Sequence, residues 1–457
     1  MTFPPLSKEP FSHSPRAGLP SEPIHPNHQI MKPRHILSIL LALTGALHAQ
    51  GPLTPPVGTP GPEMKSLQEI WDKIGGLETQ VSALQSQNRQ LEASLQNQKA
   101  LTAAQAEQSG LVNPSWSTRQ IYAGSVHSHS LSISPSGLAQ VAALDGALKL
   151  ITQSDGGWVV SVIDNTIGGT SGGNCSIQHH PLTGLPGIAY YNVSNGDLKY
   201  AEQGSGGWVI TTVASAGDVG RGCDLAFSPD GNPLIAFFDV GQAKTMFAER
   251  ISGSWVFTEI ETNPTVASVT LPIDLECSAN NTRAMVWIHH DGSFPSIRFS
   301  SCGNGAAWQN ENNLGDYNIS HVQPRSIRLT FTPTGRPLAM VASVASAGFH
   351  YWIYGVQNWT SLAPIVGGDN PNSADGAFDT LGRFHLALGR NSSDISPLDV
   401  ERRTSIGTPA AQTRIHDEDD AAPFQSVMAI DPTGWPAVSY IDGLGNIRFA
   451  TRNPNTP

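Results

Sequence analysis

The chain has 457 residues, 26 Lys and Arg against 37 Asp and Glu, and a formal net charge of −11 at pH 7. An acidic balance with no Lys/Arg cluster excludes an ordinary nucleic-acid binder, because neutralising phosphates takes grouped cations. The 39% hydrophobic content excludes a disordered chain, and 45 Gly with 34 Pro, lacking the collagen period, points to many short elements joined by turns.

Residues 1–30 are rich in Pro, Ser and His and show no apolar period. Met31-Lys-Pro-Arg-His is followed by the apolar run Ile36 to Leu47 and then His48-Ala49-Gln50. A basic start, a short apolar run and a small residue before the cut form a secretory signal peptide over 31–49. Residues 1–30 then read as an over-extended N-terminus, with a mature start at Gln50. The run is shorter than the ~20 residues of a membrane span, and no later segment reaches that length. The expectation is therefore an exported protein, secreted, periplasmic or displayed at the cell surface. Residues 50–62 carry repeated Pro and read as a semi-rigid linker.

A heptad occupies 63–110. The a positions are Leu67, Ile74, Val81, Asn88 and Leu95, and the d positions are Ile70, Leu77, Leu84 and Leu91. Branched residues at a, Leu at d and one a-position Asn predict a parallel coiled-coil dimer of two copies of this chain, with a trimer as the alternative. Lys73 at g can meet Glu78 at e of the second copy. Gly75-Gly76 weaken the first turns, and Ser109-Gly110 end the helix.

Residues 111–457 repeat with a period of about fifty residues, the length of a four-stranded propeller blade. A turn recurs as Ser-Pro-Ser-Gly137, Leu-Thr-Gly184, Pro-Asp-Gly231, Pro-Thr-Gly335, Thr-Leu-Gly382 and Pro-Thr-Gly434, with Asn280-Asn281-Thr282 in the missing place. A short apolar strand precedes each turn and a second follows it. A third strand comes next, and a Trp opens the fourth at Trp158, Trp208, Trp255, Trp308 and Trp359. The last repeat stops after its third strand, and its Trp strand stands at the other end as Trp116 to Ile121. The fold class is therefore all-β: a seven-bladed β-propeller closed by the N-terminal strand and preceded by an α-helical coiled coil. Closing the ring in this way removes the free sheet edge at the seam.

Thr212-Val-Ala-Ser-Ala-Gly-Asp-Val-Gly-Arg221 with Leu225-Ala-Phe-Ser-Pro-Asp-Gly231 resembles a repeat of exported bacterial propeller proteins. So does the lead-in Leu53-Thr-Pro-Pro with Met64-Lys-Ser-Leu-Gln-Glu-Ile-Trp-Asp-Lys-Ile74. The resemblance covers nearly the whole mature chain. It implies export and a propeller on a coiled-coil stalk, and it carries no catalytic residues, since that family has no settled reaction.

No sialidase box, phosphate loop or zinc-protease helix is present, and no cofactor motif is found. Two sets of aligned positions could carry chemistry. At the start of the first strand stand Asp224, Asp274, Arg328 and Asp375, with Ser130, Ser176 and Val427 in the other repeats. First strands line the central channel of a propeller. Three carboxylates around one Arg could bind a sugar, a cation or a basic group, or supply the acid and base of glycoside cleavage; they could equally be salt bridges between blades. At the end of the second strand stand Asp145, Asn192, Asp239, His289, Ser343, Arg390 and Asp442, placed either to meet a ligand or to cap their own turns. The recurring Trp is read as packing between blades. His127 and His129, His179-His180 and His289-His290 show no convergent metal spacing, and Asp417-Glu-Asp-Asp420 lacks a calcium-loop pattern, so no metal is expected. Of four cysteines, Cys277 and Cys302 form the disulfide candidate.

These readings point to an exported, non-catalytic binding module with a glycan or a surface protein as partner. The alternatives are a polysaccharide-active hydrolase or lyase using the channel carboxylates, and a structural or adhesive surface protein.

Overall fold

The computed structural model describes residues 67–108, 116–168, 173–262, 272–290, 295–303, 306–311, 324–343, 348–354, 359–365, 370–379, 381–391, 398–403, 411–416 and 425–452. The expected signal peptide, the Pro-rich linker and the acidic run 417–420 lie outside them. Leu67–Gln108 is one helix of 42 residues, unbroken at Gly75-Gly76. Its apolar stripe is exposed along Ile70, Ile74, Leu77, Val81, Leu84, Leu91 and Leu95. Among the described residues no helix is long and apolar enough to cross a membrane.

The described residues of the repeat region form seven four-stranded sheets, all with antiparallel neighbours. In six of them the strands stand in chain order. The remaining sheet joins Ser426–Ile430, Pro436–Ile441 and Ile447–Thr451 to Ser117–Tyr122, with Ser117 opposite Thr451 and Arg119 opposite Phe449. The first strands are Ser128–Ile133, Cys175–His179, Val219–Phe227, Ile273–Cys277, Pro324–Phe331, Asn370–Phe378 and Ser426–Ile430. Each touches the next in chain order, and the last touches the first. A closed ring of sheets meeting through their first strands around a channel is a β-propeller.

The turn between first and second strands explains the repeat. Gly137, Gly184, Gly231, Gly335, Gly382 and Gly434 all have positive φ, and Asn281, at φ 58°, fills the same place. Asn is the non-Gly residue that tolerates this region best. The residue three positions earlier closes most of these turns with its side chain. Ser134, Ser228, Ser278, Thr332, Asp379 and Asp431 each accept the N–H four residues on, at 2.8–3.1 Å. The apolar cores lie between neighbouring sheets. Fourth-strand Trp rings pack on the third strand of the preceding sheet: Trp158 on Phe449 at 4.9 Å, Trp255 on Tyr200 at 5.7 Å and Trp308 on Phe247 at 4.8 Å. The sixth sheet has no Trp in its last strand, Ala411–His416, and forms nonetheless.

Because Asn281 sits in the left-handed region, Asn281→Gly should leave stability within about 0.5 kcal/mol, whereas Asn281→Val should cost about 1–2 kcal/mol. Urea unfolding of the two variants checks this.

Candidate functional site: the central channel and its mouth

Side chains two apart on a strand share a face. One tier of the channel is therefore Ser130, Ser176, Asp224, Asp274, Arg328, Asp375 and Val427. Five of these seven clasp the backbone of the next sheet. Ser130 Oγ accepts the N–H of Ile177 at 3.2 Å, and Ser176 Oγ that of Leu225 at 3.1 Å. Asp224 accepts from Leu275 at 2.7 Å, Asp274 from Leu329 at 2.7 Å and Asp375 from Met428 at 2.8 Å.

A second tier lies two residues earlier in the same strands. Ser128 Oγ accepts the N–H of Cys175 at 3.3 Å, and Asn174 Nδ2 donates to the Cys223 carbonyl at 2.7 Å. Ser326 Oγ donates to the Ala374 carbonyl at 2.9 Å, Ser373 and Ser426 share a hydroxyl bond at 2.9 Å, and Gln425 Oε1 accepts the His129 N–H at 3.3 Å. Where one tier lacks a polar side chain, the other supplies the bond: Pro272 stands above Asp274, and Val427 below Gln425.

Arg328 is, with Val427, one of two exceptions in the first tier. As a donor it cannot accept a backbone N–H. Its Nη1 bonds Asp274 Oδ1 at 3.0 Å, and its Nε stands 3.6 Å from Asp375 Oδ2 without a hydrogen bond. The guanidinium is enclosed by protein yet keeps 22% of its side-chain surface accessible along the channel. Burial raises the pKa of Asp224 and Asp375 against the pull of Arg328. Burial and the neighbouring Asp224 push Asp274 well above the carboxylate range, and burial with Asp274 and Asp224 does the same to Glu276. Such carboxyls favour the fold while protonated, and that contribution fades as pH rises through their folded pKa values.

At one end of the channel is a cavity of about 650 Å³, lined by Ser128, Asn174, Ser326, Ser373, Gln425 and, deeper, Arg328. None of its lining residues is a carboxylate. Backbone irregularities between Arg221 and Asp224, Pro324 and Ser326, and Pro371 and Ser373 fall at this end of three first strands. Bulges of this kind bend a strand and re-aim its side chains at a rim.

The residues ending the second strands are held locally. Asp239 Oδ1 accepts the N–H of Gln242 at 2.8 Å, Asn192 Oδ1 that of Ser194 at 3.0 Å, and Asp442 Oδ1 those of Leu444 and Asn446 at 3.0 and 2.9 Å. Asp145 is held by Tyr122 and Lys149. His289 Nδ1 meets Glu261 Oε1 at 2.8 Å, and the same oxygen accepts from Trp287 Nε1 at 2.6 Å. Arg390 pairs with Pro371 through its strand; its side chain lies outside the described residues. Neither Asp239 nor His289 lines the cavity.

The expected Cys277–Cys302 disulfide is not formed, and all four thiols are free. Cys277 stands opposite Arg283, and Arg283 opposite Cys302, so two strand spacings separate the pair. That is about 9.5 Å, against the ~7 Å limit for a disulfide. Burial pushes Cys277 up to about 11 and Cys175 to about 12, so both are unreactive thiols. Among the described residues no group of three or more His, Cys, Asp or Glu could hold a metal ion.

Sequence reasoning missed two features. The mouth tier of Ser326, Ser373 and Gln425 has no aligned residue type to reveal it. The second is a chain in which Ser132 Oγ meets His179 Nδ1 at 2.7 Å and His179 Nε2 meets Gln140 Oε1 at 2.8 Å. Its signal was His179 itself, which stands where Phe227, Phe331 and Phe378 stand in other repeats. Burial holds His179 at about 4, so this enclosed imidazole is neutral and joins the first two sheets.

No known protein family matches the chain, and no curated protein does. Solved structures similar to it include a protein of unknown function from Dyadobacter fermentans DSM 18053, at 12% identity and TM-score 0.44, over 73% of this chain and 98% of that one. The lectin SapL1, solved with alpha methyl fucoside, matches at 13% identity and TM-score 0.42, over 65% and 97%. An alpha-L-arabinanase of Penicillium chrysogenum matches at 11% identity and TM-score 0.44, over 74% and 98%. At such identities the reading of the channel comes from this chain's own geometry.

Two outcomes follow from the clasps and the buried imidazoles. Asp274→Ala leaves the Leu329 N–H and Arg328 without their acceptor, and should cost about 3 kcal/mol or more in denaturant unfolding. His129 is buried at 1% exposure, and burial lowers its pKa to about 4. An unfolded imidazole takes its proton near pH 6.5. This group therefore costs the fold nothing above pH 6.5 and withdraws stability as pH falls from there towards 4. His129→Leu should abolish roughly 3 kcal/mol of the acid-induced loss between pH 7 and 4, read as a flatter stability profile than that of the parent.

Proposed function

We propose that this protein is an exported, non-catalytic binding module: a seven-bladed propeller head on a parallel two-stranded coiled coil, with carbohydrate as its ligand. One observation carries the reading. The carboxylates that could have served as acid and base are bonded to backbone N–H groups of neighbouring sheets, while the open cavity is lined by hydroxyl, amide and guanidinium groups. Glycoside cleavage by paired carboxyls needs both of them beside the substrate, one free to give up a proton and one free to attack or activate water. Clasped carboxyls below the mouth do not meet that need. A pocket of neutral donors and acceptors suits a polyhydroxylated ligand, which carries many hydrogen-bonding groups and little charge.

The exposed a/d stripe supports the stalk. A second copy of the helix covers Leu77, Leu84 and Leu91 by the heptad rule, pairs Asn88 with its equivalent and sets Lys73 against Glu78. Two heads on one stalk turn a weak site into a strong one by raising the effective concentration of the second site. The basic and apolar segment 31–49 supports export.

Glycan-array binding tests the proposal on the chain from residue 50 and on the same chain with Leu77, Leu84 and Leu91 changed to Ser. The parent should sediment as a dimer, bind a glycan and release no reducing ends from it. The stalk variant should be monomeric and bind at least ~10²-fold more weakly to a dense surface. Release of reducing ends would replace the proposal with the hydrolase reading, and an absence of glycan binding with the structural one.

A further inference from the structure

Arg328 occupies a position the ring does not need for clasping. The seam it faces is already bonded through Ser326 to Ala374. A guanidinium offers five N–H donors. Here one is used on Asp274, and Nε has no hydrogen-bond partner at 3.6 Å from Asp375. The remaining donors sit on Arg328 within the lining of the mouth cavity. The cavity's other ionisable lining group is the exposed His127, again a potential cation. Every carboxylate of the tier lies outside the lining.

We propose that the cavity takes the carboxylate of an acidic sugar residue, with Arg328 as its anchor. This rests on the carbohydrate reading above and specifies the ligand within it. The geometry suits one carboxylate per head. A planar guanidinium receives a carboxylate edge-on through two parallel N–H···O bonds. Ser326 and Ser373, from the fifth and sixth first strands, Gln425 beside the seventh and Asn174 beside the second supply hydroxyl and amide groups for the ring hydroxyls of the sugar. A cationic sugar would meet Arg328 first and be repelled.

The channel carboxyls set the pH response. A bound anion adds negative charge near Asp224, Asp274, Asp375 and Glu276, so each of these groups holds its proton more firmly in the complex. Binding is then linked to proton uptake, and affinity rises as pH falls.

The test is titration calorimetry of the full chain with an oligouronate, its carboxyl-reduced neutral counterpart and a de-N-acetylated amino-sugar oligomer. The oligouronate should bind about tenfold or more tighter than the neutral form, the scale of a charge-assisted hydrogen bond. Its affinity should rise from pH 8 to pH 5.5, and Arg328→Lys should erase the preference. If Arg328→Lys fails to fold, the comparison of ligands and the pH response on the unaltered chain decide the matter alone. Equal binding of acidic and neutral oligomers, or preference for the amine, overturns this inference and leaves the carbohydrate reading standing. Binding of none of the three overturns both.

Discussion

The ring depends on bonds between first strands. A propeller has no core at its centre; its apolar clusters lie between neighbouring sheets, as they do here. The first strands therefore face a channel, and their outward backbone N–H and C=O groups must find partners across each seam or stay unpaired in an enclosed space, which is costly. This sequence solves the problem with side chains. Serine hydroxyls, an amide and carboxylates, set two residues apart on each first strand, reach across to the next strand and satisfy its backbone. Two tiers share the task, so a tier can lose one clasp, at Pro272 or Val427, while the other still spans the seam.

The polarity of the channel follows from that requirement, and so does its unusual electrostatics. Carboxylates are strong acceptors, but an enclosed channel penalises their charge. Four of them around one Arg328 leave more acid than base, and burial raises their pKa values in consequence. Arg328 offsets part of this charge, and it has donors left that no protein group takes. Structure and recognition thus meet in one side chain: it bonds Asp274 and lines the cavity.

Much of the architecture was legible from residues alone. The repeating Gly turn, with Asn281 in the place of one Gly, marks positions where the backbone must take positive φ, and few residues tolerate that. The Trp opening most fourth strands announced packing on the neighbouring sheet, because a ring of that size at a recurring position needs a recurring partner. The split last repeat placed Ser117–Tyr122 beside Ile447–Thr451 through pattern alone. The site was far less legible. Asp224, Asp274 and Asp375 were visible as aligned acids, but an acid that clasps an N–H and an acid that meets a ligand look identical in a sequence. The difference lies in a partner some fifty residues away. Cys277 and Cys302 misled for a related reason: they end the first and third strands of one sheet, with Arg283 of the second strand between them, and only the strand register shows it.

The central claim is that channel side chains hold the ring by binding backbone N–H groups of the next first strand. Native-state hydrogen exchange of those amides tests it most directly. The N–H groups of Ile177, Leu225, Leu275, Leu329 and Met428 should exchange only through global unfolding, as fully bonded amides do. In Asp274→Ala, which removes the acceptor that the Leu329 N–H uses, the Leu329 amide alone should lose protection relative to the other four. Rapid exchange of all five in the unaltered protein, or unchanged protection of Leu329 in the variant, would contradict the account.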